Sequence, residues 1–532
     1  MALVQQGIDA VLESAMECDL LVVGGGINGA GIARDAAGRG LSVVLCEKDD
    51  LAAHTSSAST KLIHGGLRYL EYYEFGLVRK ALIEREVLLR SAPHIMWPLR
   101  FVMPHAKGQR PAWLIRAGLF LYDMLAKREI LPASSGIDLR RHAAGKPLKP
   151  EFKRGFVYSD GWVDDARLVV LNAIDAADRG AHVLTQTRCT ALVRDTAGNN
   201  DAWLATLQKS DGSVLSVRAR SVVNAAGPWT AEFMQQAAPG RQGQNLRLIK
   251  GSHIVVKRLF AHDHAYIFQH PDGRIVFAIP YEDDFTLIGT TDLDYHGDSG
   301  KVEIDDEEIR YLCELSSYYF SKPIVPADVV WTYAGLRPLV EDAAADAKSV
   351  TRDYRFELDQ DGAPMLSVFG GKITTFRKLA EEALDLLEPM LVPEPGQRRR
   401  AWTEHACLPG GDVFGSTPQN KSVREFGQFV QGLQHAYAWL PAALVARYAR
   451  AYGTRIHMLL DGRKDVAAMG EEIAAGLYAA EVDYLRRHEW AVSAADILWR
   501  RSKLGLHLPR ETAVSLDAWL LQHPLLQHPS VQ

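Results

Sequence analysis

Apolar residues near the start of the chain fall in short runs. Residues 20–23 (Leu-Leu-Val-Val) follow Asp19 and stop at glycines 24, 25 and 26, which reads as a strand ending in a tight turn. Small residues then recur at Ala30, Gly31, Ala33, Ala36 and Ala37, predicting a slim helix that closes near Gly40. Residues 41–46 predict a second strand, ending at Glu47. A long stretch, 69–125, reads as helix-rich. Strand-like runs return within 181–223, including 202–208 and 214–223, and again at 254–257, 266–268, 274–279 and 285–288. A strand at 365–369 meets Gly370, Gly371 and Lys372, and a helix follows from about 374 to 387. Residues 389–400 read as a linker. From 420 to 520 the period is helical, as in 444–451 and 479–489. The pattern predicts a mixed α/β part up to about residue 390 and a separate helical domain beyond it.

The first strand–helix–strand unit carries chemistry. Gly24, Gly26 and Gly29 give the spacing G-x-G-x-x-G between a strand and a small-residue helix. Gly24 suits the tight turn, Gly26 a close approach of backbone to a pyrophosphate, and Gly29 close helix–sheet packing. The helix N-terminus offers unpaired N–H groups and a positive dipole end. Glu47, at the end of the second strand, is placed to accept hydrogen bonds from an adenosine ribose. Together these parts point to dinucleotide binding.

Composition narrows the class. A chain of 532 residues is too long for one core, so two or three domains are expected. A formal net charge of -5 argues against general nucleic-acid binding. Five cysteines without any C-x-x-C pair exclude the usual cysteine metal clusters and give no disulfide framework, so a reducing compartment and no metal are expected. The first eighteen residues contain acids and no Lys or Arg, unlike a secretory signal, and no apolar run reaches the roughly 18 residues that span a bilayer.

Three further segments favour FAD over NAD. Residues 55–69 place Ser56, Ser57, Thr60, Lys61, Leu62, His64, Gly65, Gly66 and Arg68 shortly after Glu47. Hydroxyls at that density can bond a pyrophosphate and a ribityl chain, which NAD lacks. A second glycine turn holds Ala226, Gly227 and Trp229, and can lay backbone against a flat ligand. A third joins Gly370–Gly371 to Lys372, Ile373 and Thr374 before a helix, whose N-terminus would stabilise negative charge on a reduced flavin. Asn28 and Gly335 complete the expected cofactor set.

At this point the chain resembles a known family. Residues 24–29, 56–69, 160–167 (Asp-Gly-Trp-Val-Asp-Asp-Ala-Arg), 249–256 (Ile-Lys-Gly-Ser-His-Ile-Val-Val), 288–292 and 369–375 are similar to the FAD-dependent glycerol-3-phosphate dehydrogenases, most of all the bacterial aerobic, respiratory form. The resemblance implies a D-amino-acid-oxidase-like α/β fold: a Rossmann-type FAD-binding domain, an antiparallel-sheet substrate domain and a helical C-terminal domain. The first two interleave, with FAD segments at roughly 18–95, 155–245 and 355–390, and substrate segments at roughly 96–154 and 246–354. The helical domain takes 398–532. The implied reaction is oxidation of sn-glycerol 3-phosphate to dihydroxyacetone phosphate by noncovalently bound FAD. The substrate phosphate requires cations despite the acidic total, and Arg68, Arg337, Arg352 and Lys372 are the candidates. His64 and His253 are both candidate bases, and the sequence does not choose between them.

Quinone, oxygen and an iron–sulfur partner are the possible electron acceptors. Only Cys407 follows residue 313, unlike the cysteine-rich anaerobic relatives, and no insertion like that of the oxidases is evident. A membrane quinone is therefore expected. Residues 97–122 mix aromatics, aliphatics and Arg100, Lys107, Arg110 and Arg116, which fits an interfacial anchor on anionic lipid. The expected protein is a homodimer in the cytoplasm, peripheral on the inner face of the cytoplasmic membrane. An oxygen-using oxidase and an amine or amino-acid oxidase of the same fold are the alternatives.

Overall fold

A computed structural model describes residues 15–106, 108–195, 201–237, 246–269, 274–340 and 353–525. Two sheets and a helical domain account for them.

The first sheet is built on parallel strands. Met16–Val23 lies between Val43–Cys46 and Val214–Asn224, and His182–Leu184 and Met365–Phe369 extend the two sides. Arg355–Asp359 and the hairpin Thr187–Asp195/Ala202–Lys209 add antiparallel strands. The helices Ile27–Gly38, Asp165–Asp178 and Phe376–Leu391 pack beside one another, and their core joins that of the central strands. Close packing at the first helix depends on Gly29, where an added Cβ would stand 1.9 Å from the Gly24 carbonyl oxygen.

The second sheet has ten strands, nearly all antiparallel. Leu246–Lys257 pairs with Val329–Val340 on one side and with Phe285–Gly289 on the other. That register sets Ile249 opposite Arg337, Gly251 opposite Gly335, and His253 opposite Tyr333. Alternate residues of a strand share a face, so these six positions look the same way.

The expected fold class is the observed one, with corrections inside it. Residues 69–125 are not uniformly helical: between the helices Phe75–Ser91 and Ala112–Met124 runs the strand Met96–His105. It pairs along its length with Arg154–Val163, and at Phe101–Val102 with the strand Ala265–Gln269. Pro98 and Pro104 lie outside that second contact, where a missing N–H costs no ladder bond. Strand Arg154–Val163 therefore belongs to the second sheet, so a boundary at 155 falls about one strand early. Strand Leu62–Ile63 joins the same sheet.

The C-terminal domain is helical, with a short hairpin of Glu472–Ala474 and Leu477–Tyr478. Its core contains Val445, Tyr448, Tyr452, Ile456, Leu485, Ile497 and Leu516. Residues 389–400 form no loose linker: Arg399 N–H donates to Glu388 at 2.9 Å and Trp402 Nε1 to the Asp35 carbonyl at 3.2 Å.

Candidate active site

A groove runs from the glycine loop of the first sheet to the inner face of the second. At its first end a cavity of about 900 Å³ is lined by Gly24, Gly26, Glu47, Ser56, Ala226, Gly227 and Trp229. Gly24 has φ +113°, a conformation only glycine adopts readily. The Glu47 carboxylate accepts the N–H of Gly25 at 2.6 Å and of Asp49 at 2.9 Å, which fixes it at the strand end. Lys48 Nζ lies 4.5 Å from the centre of the Trp229 ring.

A second cavity of about 1340 Å³ continues from Ser56 to Thr60, Leu62, His64, His253, Gly335, Arg337, Lys372, Ile373 and Thr374. Ser56 Oγ accepts the Ile27 N–H at 3.0 Å, so its hydroxyl stands at the N-terminus of the first helix. Asn28 reaches across to donate to the Gly370 carbonyl at 3.1 Å. Its Oδ1 is buried without a hydrogen-bond partner, an acceptor facing unmet demand. These features fit a dinucleotide: an acid at the ribose end, a helix N-terminus and hydroxyls between, and an orphaned acceptor deeper in.

A third cavity of about 950 Å³ shares Thr60, Leu62, His64, Tyr69 and Arg337 with the second and adds Gly66, Arg68, Asp160 and Arg274. Three arginines thus line one pocket, and Lys372 lies 3.9 Å from the centre of the Tyr69 ring at its border with the second. Arg337 donates to the Thr291 carbonyl at 2.9 Å and lies 3.3 Å from Asp292.

The two histidines differ. His64 Nδ1 accepts the N–H of Gly66 at 3.1 Å, so the proton of the neutral ring sits on Nε2. Burial lowers its pKa below 6.5, and Lys372 and Arg85 act in the same direction against Asp160. His253 is 2% exposed and stacks on Tyr333 at 4.7 Å. Its Nε2 lies 2.9 Å from the Thr60 hydroxyl, and its Nδ1 has no partner. Burial holds its pKa well below 6.5, with Lys61 and Arg337 adding to the effect. Both shifts favour the neutral ring at pH 7.

Some expected residues stand elsewhere. Lys61 is buried with Nζ 2.6 Å from Asp165 and 3.1 Å from the Ser57 carbonyl; its side chain anchors the loop and does not line the three cavities. Gly65 gives its N–H to Tyr122 Oη at 2.9 Å and to Asp160 at 3.3 Å, which makes it a packing position. Ser57 lines a neighbouring cavity of about 650 Å³ with Trp229 and Gly335. Arg352 lies outside the described residues. Arg274 was not anticipated: it sits at the start of an ordinary strand run, and no motif marks it.

Residues 97–105, expected in an anchor, belong to a strand. Arg100 is half-buried and donates to the Ala133 carbonyl and to Ser159 Oγ. Lys107 lies outside the described residues. Helix Ala112–Met124 behaves differently. It exposes Trp113 (72%), Leu114, Phe120 (59%), Leu121 and Met124 along one stripe, and buries Leu119, Tyr122 and Asp123 on the other. Exposed Tyr72 ends the turn Leu67–Tyr72 that packs against it, and exposed Tyr73 and Phe75 follow that turn in the chain.

The fold and groove define a flavin-dependent oxidoreductase. The profile of the FAD dependent oxidoreductase family matches residues 19–377, and that of the C-terminal domain of alpha-glycerophosphate oxidase matches 401–519. A glycerol-3-phosphate dehydrogenase of Pseudomonas aeruginosa is 55% identical over 95% of this chain and 96% of its own. A D-erythritol 1-phosphate dehydrogenase of Brucella abortus is 48% identical over 94% and 97%. The crystal structure of a glycerol-3-phosphate dehydrogenase from Bacillus halodurans with FAD superposes with a TM-score of 0.76 at 27% identity, covering 97% of this chain and 93% of that one. The chain belongs to the FAD-dependent glycerol-3-phosphate dehydrogenase family.

Proposed function

We propose that this enzyme oxidises sn-glycerol 3-phosphate to dihydroxyacetone phosphate and delivers the electrons to a quinone in the membrane. The observation that carries the first half is the meeting of Arg68, Arg274, Arg337 and Lys372 with His64 and His253 at one end of the dinucleotide groove. A dianionic phosphate needs such a cluster, and a carboxylate substrate does not, which disfavours the amino-acid oxidase reading.

The flavin, when bound, supplies the acceptor for the C2 hydride. The chain's own residues hold the substrate and manage one proton. Arg337, Arg68 and Arg274 hold the phosphate, and Lys372 adds charge nearer the flavin end. His64, with its proton on Nε2, donates a hydrogen bond to the C2 oxygen. The C2 hydroxyl proton passes to Thr60 Oγ1 as the Thr60 proton passes to Nε2 of His253. A neutral His253 is ready for that role, because burial and two nearby cations keep it unprotonated beforehand.

The second half rests on the apolar stripe of helix Ala112–Met124. No described helix is long and apolar enough to cross a membrane. A surface helix with Trp113, Leu114, Phe120, Leu121 and Met124 outward instead lies in the lipid interface, where a quinone is within reach. Arg110, 3.0 Å from Glu71, and Lys127, 2.7 Å from Glu129, flank its ends with exposed side chains, for which lipid phosphates would compete with those acids.

The deciding experiment is dye-coupled oxidation by the yellow, FAD-containing protein of a panel: glycerol 3-phosphate, D-erythritol phosphate, glycerol and amino acids. Preference for an amino acid, or for glycerol over its phosphate, would overturn the substrate assignment. Hydrogen peroxide formed in air as fast as quinone is reduced would favour an oxidase.

A further inference from the structure

One segment of the C-terminal domain, residues 489–503, directs its charges into the dinucleotide-binding part. Arg501, with no exposed surface, sets Nη1 and Nη2 at 2.8 and 2.7 Å from the two carboxylate oxygens of Asp50. Arg500 Nε adds a third contact at 2.6 Å. Asp50 is 2% exposed and sits in the turn whose neighbours Glu47, Lys48, Ala52 and Ala53 line the adenosine end of the groove. The same turn closes on the glycine loop, because Ala52 donates its N–H to the Gly25 carbonyl at 3.1 Å and holds φ +60°.

The segment grips a second loop as well. Glu489 pairs with Arg167, and Lys503 Nζ lies 3.2 Å from Asp164. Both partners belong to the start of helix Asp165–Asp178 or its cap, and Asp165 there holds Ser59 N–H at 3.1 Å and Lys61 Nζ at 2.6 Å. The two arginines leave a π-helical turn, Asp496–Arg501, a rare geometry that recurs at functional positions. An intact buried ion pair contributes little net stability compared with apolar packing, yet removing one partner is strongly destabilising. These pairs join the segment to the two loops that border the groove.

We propose that the C-terminal domain is a cofactor clamp, with Arg500 and Arg501 acting through Asp50 as positioning residues that govern how tightly FAD is retained. This rests on the groove being the FAD site. Docking of the segment and binding of FAD are then reciprocally coupled, each favouring the other by the same factor.

The test follows flavin release from holoenzyme by the rise in flavin fluorescence after dilution. Asp50→Asn and Arg501→Gln should weaken FAD retention by about 5- to 150-fold, the usual range of such coupling. Arg501→Lys should recover part of the loss, and Arg500→Gln, which removes a single contact, should give a smaller one. Excess FAD should restore kcat and leave the KM for glycerol 3-phosphate unchanged. In wild type, FAD should slow hydrogen exchange of residues 496–503, and in Asp50→Asn it should not. Glu481→Gln breaks the pair of Arg447 with the buried Glu481 carboxylate inside the C-terminal domain and should leave FAD release unchanged. Equal acceleration in Glu481→Gln and Asp50→Asn would mean general loosening and overturn the clamp. Unchanged release in both Asp50→Asn and Arg500→Gln would do the same. A wild-type protein that binds no FAD would sink the reading of the groove instead.

Discussion

The Thr60 hydroxyl lies 2.9 Å from Nε2 of His253, and the His253 ring is pressed flat against Tyr333. The stacked ring is held in one orientation, with Nε2 toward Thr60 in the wall of the groove that both residues line, and under the proposed function the proton reaches it through that threonine. Removing a general base typically costs about 10²–10⁴ in rate. His253→Asn and Thr60→Val should both slow flavin reduction in single turnover by that order, with FAD still bound. His64→Ala, losing a hydrogen-bond donor, should cost less. Wild-type rates in both His253→Asn and Thr60→Val would remove the relay.

Arg337 anchors the phosphate in this scheme. A hydrogen bond to a charged group contributes roughly 1.5–3 kcal/mol, so Arg337→Ala should lower kcat/KM for glycerol 3-phosphate by about tenfold to a hundredfold. Turnover of glycerol, already poor, should change far less. Equal losses for both substrates would show that the guanidinium serves the fold and not the phosphate.

The exposed stripe supplies a membrane test. Burying a large apolar side chain fully is worth on the order of 1.5–3 kcal/mol. Replacing Trp113, Phe120 and Leu121 together with Gln should release the enzyme from vesicles of mixed neutral and anionic lipid and slow quinone reduction. A small soluble dye should still be reduced at the wild-type rate. Undiminished vesicle binding would move the docking face elsewhere.

A pH effect on stability is expected far from the chemistry. His94 is fully buried with no partner for either ring nitrogen, and burial, followed by Arg167 and Arg450, drives its pKa down to about 3. The unfolded histidine titrates near 6.5. Between those values the unfolded chain binds a proton that the folded chain refuses. Its stabilising contribution is thus complete above about pH 6.5 and is lost on acidification toward pH 3, by about 1.4 kcal/mol per pH unit for one proton. Urea midpoints at pH 7.5 and 5.5 should differ less in His94→Leu than in wild type. An unchanged difference would assign the slope to other groups.

Local motifs were the most legible part of the sequence. The glycine loop, Glu47 and the hydroxyl loop announce themselves because each needs particular residues within a few positions of one another. Strand Met96–His105 was hidden by two prolines and an arginine, which read as breaks until its pairing partners are known. Lys61 misled because it sits among cofactor-lining residues; with φ +59° it turns away from its neighbours toward Asp165. Arg274 reaches the pocket from the far side of a sheet, and Asp50 meets an arginine 451 residues later. No window along the chain contains either relationship.

The ladder between Leu246–Lys257 and Val329–Val340 acts as a ruler. Arg337 stands opposite Ile249, four residues from His253, and a strand rises roughly 3.3 Å per residue. The backbone points carrying Arg337 and His253 are therefore about 13 Å apart along the strand, at a spacing no side-chain rotation can alter. Under the proposed function a three-carbon phosphate would be gripped between side chains from those two marks, and a longer polyol phosphate would have to place its extra carbon outside that interval. An inserted residue in either strand would shift the register by one and turn one of the two side chains to the other face of the sheet.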